Sequence, residues 1–472
     1  MSESQQYDLA IVGAGYAGLV AANRAMQLGR RVVVLEKGKG ELYPCNSRYA
    51  AGVLHISYHT LDDPQAELVK AVREITDGFA NLGLAEALAA TALRAAKWLE
   101  AEGTLFDRTN KTPWRRWVLA PARPTSTQMD WKDRGADVTL RLLEGNFARG
   151  GGTLHKDTRV LRLMMSGGRC VGVEAERNGK RENFAAGAVL LADGGYQANL
   201  ELLGKYISPA PKAIKQRCAE TGTGDGLRMA QEIGAGTIGL EAFYGHLLSR
   251  DAMHNDALWP YPQVDEVASS GILVDGAGHR FADEGNGGVF LANAVARLAD
   301  PLGASAVFDE NIWQSAGRAA AVPPNPRLAG AGGTIHQAAT IADLAGKSGL
   351  PANELEATLK RYNEAVASGR IGALDVPRSA RRHAPAQIVQ PPFYAIPICT
   401  GITFTMGGIV IDPSARVLRP DRSPIPGLYA AGSSVGGLDG GAVCGYAGGL
   451  IKAIVFGMLA AEHLAGHASA AG

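Results

Sequence analysis

The residues that could do chemistry begin at Gly13. There Gly13-Ala14-Gly15-Tyr16-Ala17-Gly18 follows an apolar run, Leu9 to Val12, and precedes an Ala-rich stretch, Leu19 to Leu28. The order strand, G-x-G-x-x-G turn, helix brings backbone against a pyrophosphate. Gly13 permits the tight turn, Gly15 lets the backbone approach the phosphates, and Gly18 lets helix and strand pack closely. The helix N-terminus offers unpaired N–H groups to phosphate oxygens. A second apolar run, Arg31 to Leu35, ends at Glu36, where a carboxylate can accept hydrogen bonds from ribose hydroxyls. Strand, turn, helix, strand and terminal acid together imply an adenine dinucleotide rather than a plain βαβ unit with a glycine turn.

The rest of the chain supplies elements to position that cofactor. Residues Pro64 to Gly103 read as helices, with apolar spacing at Leu84, Leu88, Ala92, Ala95 and Leu99. A Pro-rich polar stretch, Pro113 to Pro124, holds Trp114-Arg115-Arg116-Trp117 and reads as an amphipathic surface loop. A helix is expected over Asp137 to Ala148. Three short strands follow, Thr158 to Met164, Arg169 to Arg177 and Lys180 to Phe184, and then a separate buried strand leads into Ala192-Asp193-Gly194-Gly195. Such a strand end lies over a cofactor crevice. Thr221 to Gly226 starts a helix, Leu227 to Ile233, with a second phosphate- or ribityl-facing N-terminus. From about Leu240 to Pro392 the glycine rhythm changes, which reads as an inserted domain. It holds a helix from Glu354 to Ser368, with Asn353 as its N-cap. The last helix is expected over Leu450 to His467, and only the terminal HASAAG reads as disordered.

Composition narrows the classes. A net charge of +1 gives no support for a nucleic-acid partner. The 60 glycines are roughly twice the usual share, as close backbone approach to a large cofactor requires. Five scattered cysteines without C-x-x-C argue against zinc, an iron–sulfur cluster or c-type haem, and suit a reducing compartment. The polar start MSESQQYD suggests no signal peptide. Leu450 to Leu464, interrupted by Lys452 and Glu462, reads as too short to span a bilayer. The expectation is a cytoplasmic protein with no integral membrane segment and no metal.

In this order, several segments resemble the flavoprotein family of fumarate reductases, 3-ketosteroid dehydrogenases and tricarballylate dehydrogenase. They are the N-terminal fingerprint, Asn46-Ser47 with Ala51-Gly52, Ala192 to Gly195, Thr223 to Gly226, Gly278 to Glu284, Thr405-Met-Gly-Gly408 and Gly427 to Gly432. The resemblance implies an α/β fold in which a discontinuous, Rossmann-like FAD-binding domain (1–240 and 393–472) carries an inserted α+β capping domain (241–392). It implies non-covalent FAD, because neither Arg48 nor Tyr49 is the histidine of covalent members. Expected cofactor contacts are Gly13, Ala14, Gly15, Ala17, Gly18, Glu36, Lys37, Asn46, Ser47, Gly52, Val160, Ala192, Gly194, Asp225, Gly432 and Ser433. Gly448, Gly449 and Leu450 are expected at the flavin pyrimidine edge, where a helix N-terminus stabilises negative charge.

The departures set the substrate. Fumarate reductases carry an arginine proton donor four residues after the motif glutamate, and here that position is Gly288. They carry histidine before T-M-G-G, where this chain has Phe404. Their carboxylate-clamping arginine is missing from Gly436 to Gly449, with Cys444 near its place. A second substrate carboxylate would therefore be poorly held. His246 matches a substrate-side histidine of the family, with an ordinary core histidine as the alternative. Tyr446 is either a carbonyl-polarising acid or an aromatic packed under the flavin. The expected catalytic residues are His246, Tyr446 and Tyr244, with Phe404, Thr405 and Cys444 facing substrate. The function implied is an FAD-dependent dehydrogenase or reductase acting on a C–C bond α,β to a carbonyl or carboxylate. Desaturation is favoured over reduction, fumarate is not the substrate, and electrons leave to a quinone, an electron-transfer protein or oxygen. The alternatives are an oxidase or hydroxylase and a non-catalytic flavoprotein subunit.

Overall fold

The first strand, Tyr7–Val12, is buried along nearly its whole length because it sits in the middle of an eight-stranded sheet. This computed structural model describes residues 7–126 and 129–468. The N-terminal MSESQQ and the last four residues of the expected disordered tail lie outside the described residues. Parallel neighbours flank the first strand, Val32–Leu35 on one side and Lys180–Leu191 on the other, with Pro424–Ala430 and Thr153–His155 completing the parallel core. Chain segments thus diverge from both sides of Val12, and a ligand crevice opens there, outside the carboxyl ends of the strands.

The helix Tyr16–Gln27 and the last helix, Gly449–Ala468, lie against each other so closely that a Cβ at Gly457 would be 2.4 Å from the Ala17 carbonyl oxygen. The last helix is longer than expected. Its stretch Gly449–Gly466 is long and apolar enough to cross a bilayer, yet over half of it is buried inside the fold, the setting of a core helix. Lys452, which the sequence suggests would interrupt a span, is buried against Asp439.

Two expected strands are one. Lys180–Leu191 runs unbroken, its first half antiparallel to Arg169–Arg177 and its second half parallel to Tyr7–Val12. Small residues at Ala185-Ala186-Gly187 let it pass between both partners without a turn. The helix expected from Glu354 begins earlier, at Ala352, with Pro351 as N-cap and Asn353 inside its first turn. Burial of Leu355, Leu359 and Tyr362 sets that register.

The second sheet has six strands and is organised around Phe393–Thr405, thirteen residues that are almost all buried. Phe243–Ser249, Ser305–Asp309 and His336–Ala338 pair with it antiparallel. The sheet therefore runs across the 392/393 boundary drawn from sequence. The motif Arg280 to Glu284 lies in this half as a buried knot, Glu284 meeting Arg280 at 2.6 Å and Arg378 at 3.6 Å. All five cysteines are buried and unpaired.

Candidate active site

One cavity connects the two sheets. Glu36 and Lys37 line it from the first, and Tyr244, His246 and Phe404 from the second. Its cradle is made of backbone. Gly13 sits at φ +98°, and a Cβ there would lie 2.6 Å from the Ala192 carbonyl oxygen. Glu36 accepts the Ala14 N–H at 2.8 Å and the Gly38 N–H at 2.6 Å. Burial raises its carboxyl above the usual range, against the pull of those two donors. Lys37 donates to Thr223 and pairs with Asp225, which also meets Arg159 at 2.7 Å. Burial alone would raise Asp225, but the two cations outweigh it and hold the carboxyl at about 2. Asp193 has no such partner, and burial lifts it to about 6.

These residues fit FAD. The helix N-terminus at Gly15 and Ala17 and the Glu36 carboxyl all line the cavity, and a Cβ on Gly194 would meet only open space. Of the expected contacts, Gly13, Gly15, Ala17, Glu36, Lys37, Asn46, Ser47, Gly52, Val160, Ala192, Gly194, Asp225, Gly432, Ser433, Gly449 and Leu450 line the cavity. Ala14, Gly18 and Gly448 do not. Ala14 is spent on Glu36 and Tyr43, while Gly18 and Gly448 are packed against the Gly13 and His55 carbonyls.

The opposite wall is built by a strand irregularity. Phe243–Ser249 pairs Tyr244 with Phe404 but Gly245 with Ile402, so Thr403 is an extra residue opposite that step. Such a bulge re-aims neighbouring side chains. Tyr244 and His246, two apart on one strand, both face the cavity. His246 Nδ1 lies 2.5 Å from Asp265 Oδ2 and its Nε2 lies 3.1 Å from the Tyr244 hydroxyl. Asp265 is fixed in turn by the Leu247 N–H, 2.7 Å from Oδ1. A carboxylate only accepts, so Nδ1 carries the imidazole proton and Nε2 accepts from Tyr244. Burial lowers His246 from its ordinary value, and Asp265 only partly restores it, so the ring is neutral at pH 7.

Tyr446 stacks on Tyr244 with centroids 4.1 Å apart, and its oxygen accepts the Gly449 N–H at 2.9 Å. That bond engages the Gly449 N–H expected at the flavin edge. Burial raises both phenols, so each remains an O–H donor. Phe404 also stacks on Tyr244, at 5.3 Å, and lies 6.1 Å from Tyr446, so the three rings form one cluster.

Two expected substrate contacts lie behind the wall. Thr405 is fully buried, its hydroxyl accepting the Tyr196 N–H. Cys444 packs with Ala242, Phe404 and Met406. Three wall residues carry no local sequence signal as site residues: Arg217, Thr403 and Tyr261. Asp265, behind His246, is equally silent. The Trp114 segment is not a surface loop either. Trp114 and Arg115 line the cavity, Trp114 packs on His55 and Tyr58, and Trp117 is buried in a strand. Aromatic faces gain more by covering one another than by meeting water. Among the described residues no cluster of His, Cys, Asp and Glu could hold a metal.

Comparison with known proteins agrees with this geometry. A family profile described as FAD binding domain matches residues 8–445. A probable fumarate reductase, Ifc3, of Shewanella frigidimarina is 27% identical over 98% of this chain and 76% of its own length. A 4-oxocyclohexanecarboxylate 2-dehydrogenase of Sinomonas cyclohexanicum is 27% identical over 98% of this chain and 93% of its own. Of two other curated relatives the chain spans only 37% and 48%. The solved 3-ketosteroid Δ1-dehydrogenase of Sterolibacterium denitrificans superposes with a TM-score of 0.73 at 21% identity, covering 98% of this chain and all of that one. With the matched profile spanning both sheets and the cavity between them, the chain belongs to the FAD binding domain family and is an FAD-dependent oxidoreductase.

Proposed function

We propose that this enzyme desaturates a CH–CH bond α,β to a carbonyl or carboxylate of a small organic substrate. The observation that carries the reading is the chain Asp265–His246–Tyr244, which ends in the cavity beside Tyr446. FAD, held without a covalent bond, supplies the acceptor for the two electrons removed. The protein must supply an acid at the oxygen and a base at Cα. Tyr446 donates its free hydroxyl hydrogen to the substrate oxygen, which acidifies the α-proton. Tyr244 takes that proton on its oxygen while passing its own to His246 Nε2. The imidazolium formed is stabilised by Asp265 across the 2.5 Å contact. A neutral histidine with a carboxylate behind it is built to receive a proton, which favours desaturation.

The relatives support the class by name, one a reductase of fumarate and one a dehydrogenase of a cyclic oxo acid. Gly288 argues against fumarate itself. A Cβ there would lie 2.1 Å from Asp265 Cγ, so the relay carboxylate fills the space an arginine side chain would need. Residues 241–392 act as a cap that closes over the substrate, and an external quinone, electron-transfer protein or oxygen removes the electrons.

Anaerobic mixing of the oxidised enzyme with cyclic ketones, oxo acids and tricarboxylates tests the reading. Bleaching of the flavin by a saturated ketone or acid is expected. Reduction of fumarate at rates above those with any enone would overturn it. Limited proteolysis near residues 241 and 392 should slow when a substrate analogue is bound.

A further inference from the structure

Four cationic side chains are buried among the described residues: Arg48, Arg217, Arg378 and Lys452. Three of them sit against carboxylates, namely Asp137, Glu284 and Asp439. Arg217 does not. Its Nη1 donates to Thr403 Oγ1 at 3.0 Å and its Nη2 to the Pro260 carbonyl at 3.2 Å, both neutral acceptors. Its Nε, also buried, has no partner. Asp265 acts on it only from beyond contact distance. A buried cation without a paired carboxylate is a costly arrangement that arginine does not escape by losing its proton.

The position is built. The Arg217 stem crosses the central strand where residue 401 is glycine, and a Cβ there would lie 2.3 Å from Arg217 Cδ. Gly401 is the ladder partner of His246. The guanidinium therefore lines the cavity on the relay's own sheet, whereas the Gly13–Gly18 cradle for the pyrophosphate belongs to the first sheet. The same cavity is lined by aromatic rings, Tyr58, Trp114, Phe404 and Tyr446 among them.

We infer that Arg217 anchors a carboxylate of the substrate, and that the substrate is a monocarboxylate with an apolar ring. This rests on reading the cavity as the substrate site and narrows its class. Guanidinium matches carboxylate geometry with paired donors, which a neutral ketone cannot use.

The test is binding of matched acids and amides to the FAD-loaded enzyme, by calorimetry and by the shift of the flavin visible spectrum. The probes are cyclohexanecarboxylate with cyclohexanecarboxamide, and cinnamate with cinnamamide. Each acid should bind the wild type at least tenfold more tightly than its amide. Arg217→Met should bring the ratio to near one with flavin content unchanged. Should that variant not retain flavin, the ratio is read in Arg217→Lys, where it should fall at least threefold because one ammonium cannot reproduce the fork. Equal affinity of acid and amide for the wild type, or a ratio untouched by either substitution, would overturn the inference. Turnover of neutral enones without acid preference would remove Arg217 from substrate binding and leave the reaction standing. Acid preference without any C–C oxidation or reduction would do the reverse.

Discussion

The cradle around Gly13 and the wall around His246 are assembled in opposite ways. Strand, turn, helix and acid of the cradle come from one run of thirty residues, Tyr7 to Glu36, and the bond that ties acid to turn, from the Ala14 N–H to Glu36, closes within that run. The wall draws Arg217, His246, Asp265, Thr403 and Tyr446 from separate segments, held together by one long strand. A cofactor common to many enzymes is bound by a portable local motif. The part that selects a substrate is bound by tertiary contacts, which can change one residue at a time.

This contrast has measurable edges. The largest effect should come from Gly288→Arg, which drives the relay carboxylate away from His246. Turnover should fall by about 10²–10⁴-fold, the usual span of general acid–base catalysis, with flavin content retained. Steady-state rates on bound flavin would show it, and near-normal turnover would separate Asp265 from the chemistry. The cradle should respond the other way. Glu36→Arg removes the carboxyl that holds the Ala14 and Gly38 N–H groups in place. Those bonds are worth about 1 kcal/mol or more each to the shape of the cradle, so FAD affinity should drop by at least about tenfold. Turnover per bound flavin should stay within a few-fold.

A finer test is Asp265→Asn, expected to cost about tenfold in turnover and to shift the acidic limb of the pH profile. His246 must be neutral to accept a proton, so activity rises with pH through its pKa. Asp265 raises that pKa against burial, so removing its charge should move the limb to lower pH. A limb unmoved by the substitution would assign it to another group. The smallest effect is expected at Cys444→Ala. The thiol touches Phe404 and Met406 from behind, and turnover should change less than about twofold, within the range of well-tolerated core changes.

The same contrast decides how much could be read from the chain alone. The G-x-G-x-x-G turn and Glu36 stand at fixed spacing, so fold class, cofactor and most cradle residues were legible. His246, Tyr244 and Tyr446 were legible only through resemblance, and the structure brings them together. Asp265 was not, because it reaches His246 only by folding back nineteen residues later in the chain. Arg217 follows a two-residue strand, Lys215–Gln216, too short to leave a pattern. Thr405 and Cys444 were misplaced for a physical reason. Alternation along a strand is broken by the bulge at Thr403, and a left-handed backbone at Cys444 turns its side chain into the core.

The buried cysteines carry a chemical consequence for an enzyme of this kind. Burial raises Cys45, Cys218 and Cys399 to about 12, and Cys170 and Cys444 to about 11. At neutral pH roughly one in 10⁴ or fewer of each is thiolate, the only form that peroxides and alkylating agents attack readily. Were oxygen to collect the electrons, hydrogen peroxide would be released with every turnover into a molecule that offers it almost no thiolate. The folded protein should therefore outlast many cycles in air without sulfenic acid formation, and iodoacetamide should label it only after unfolding.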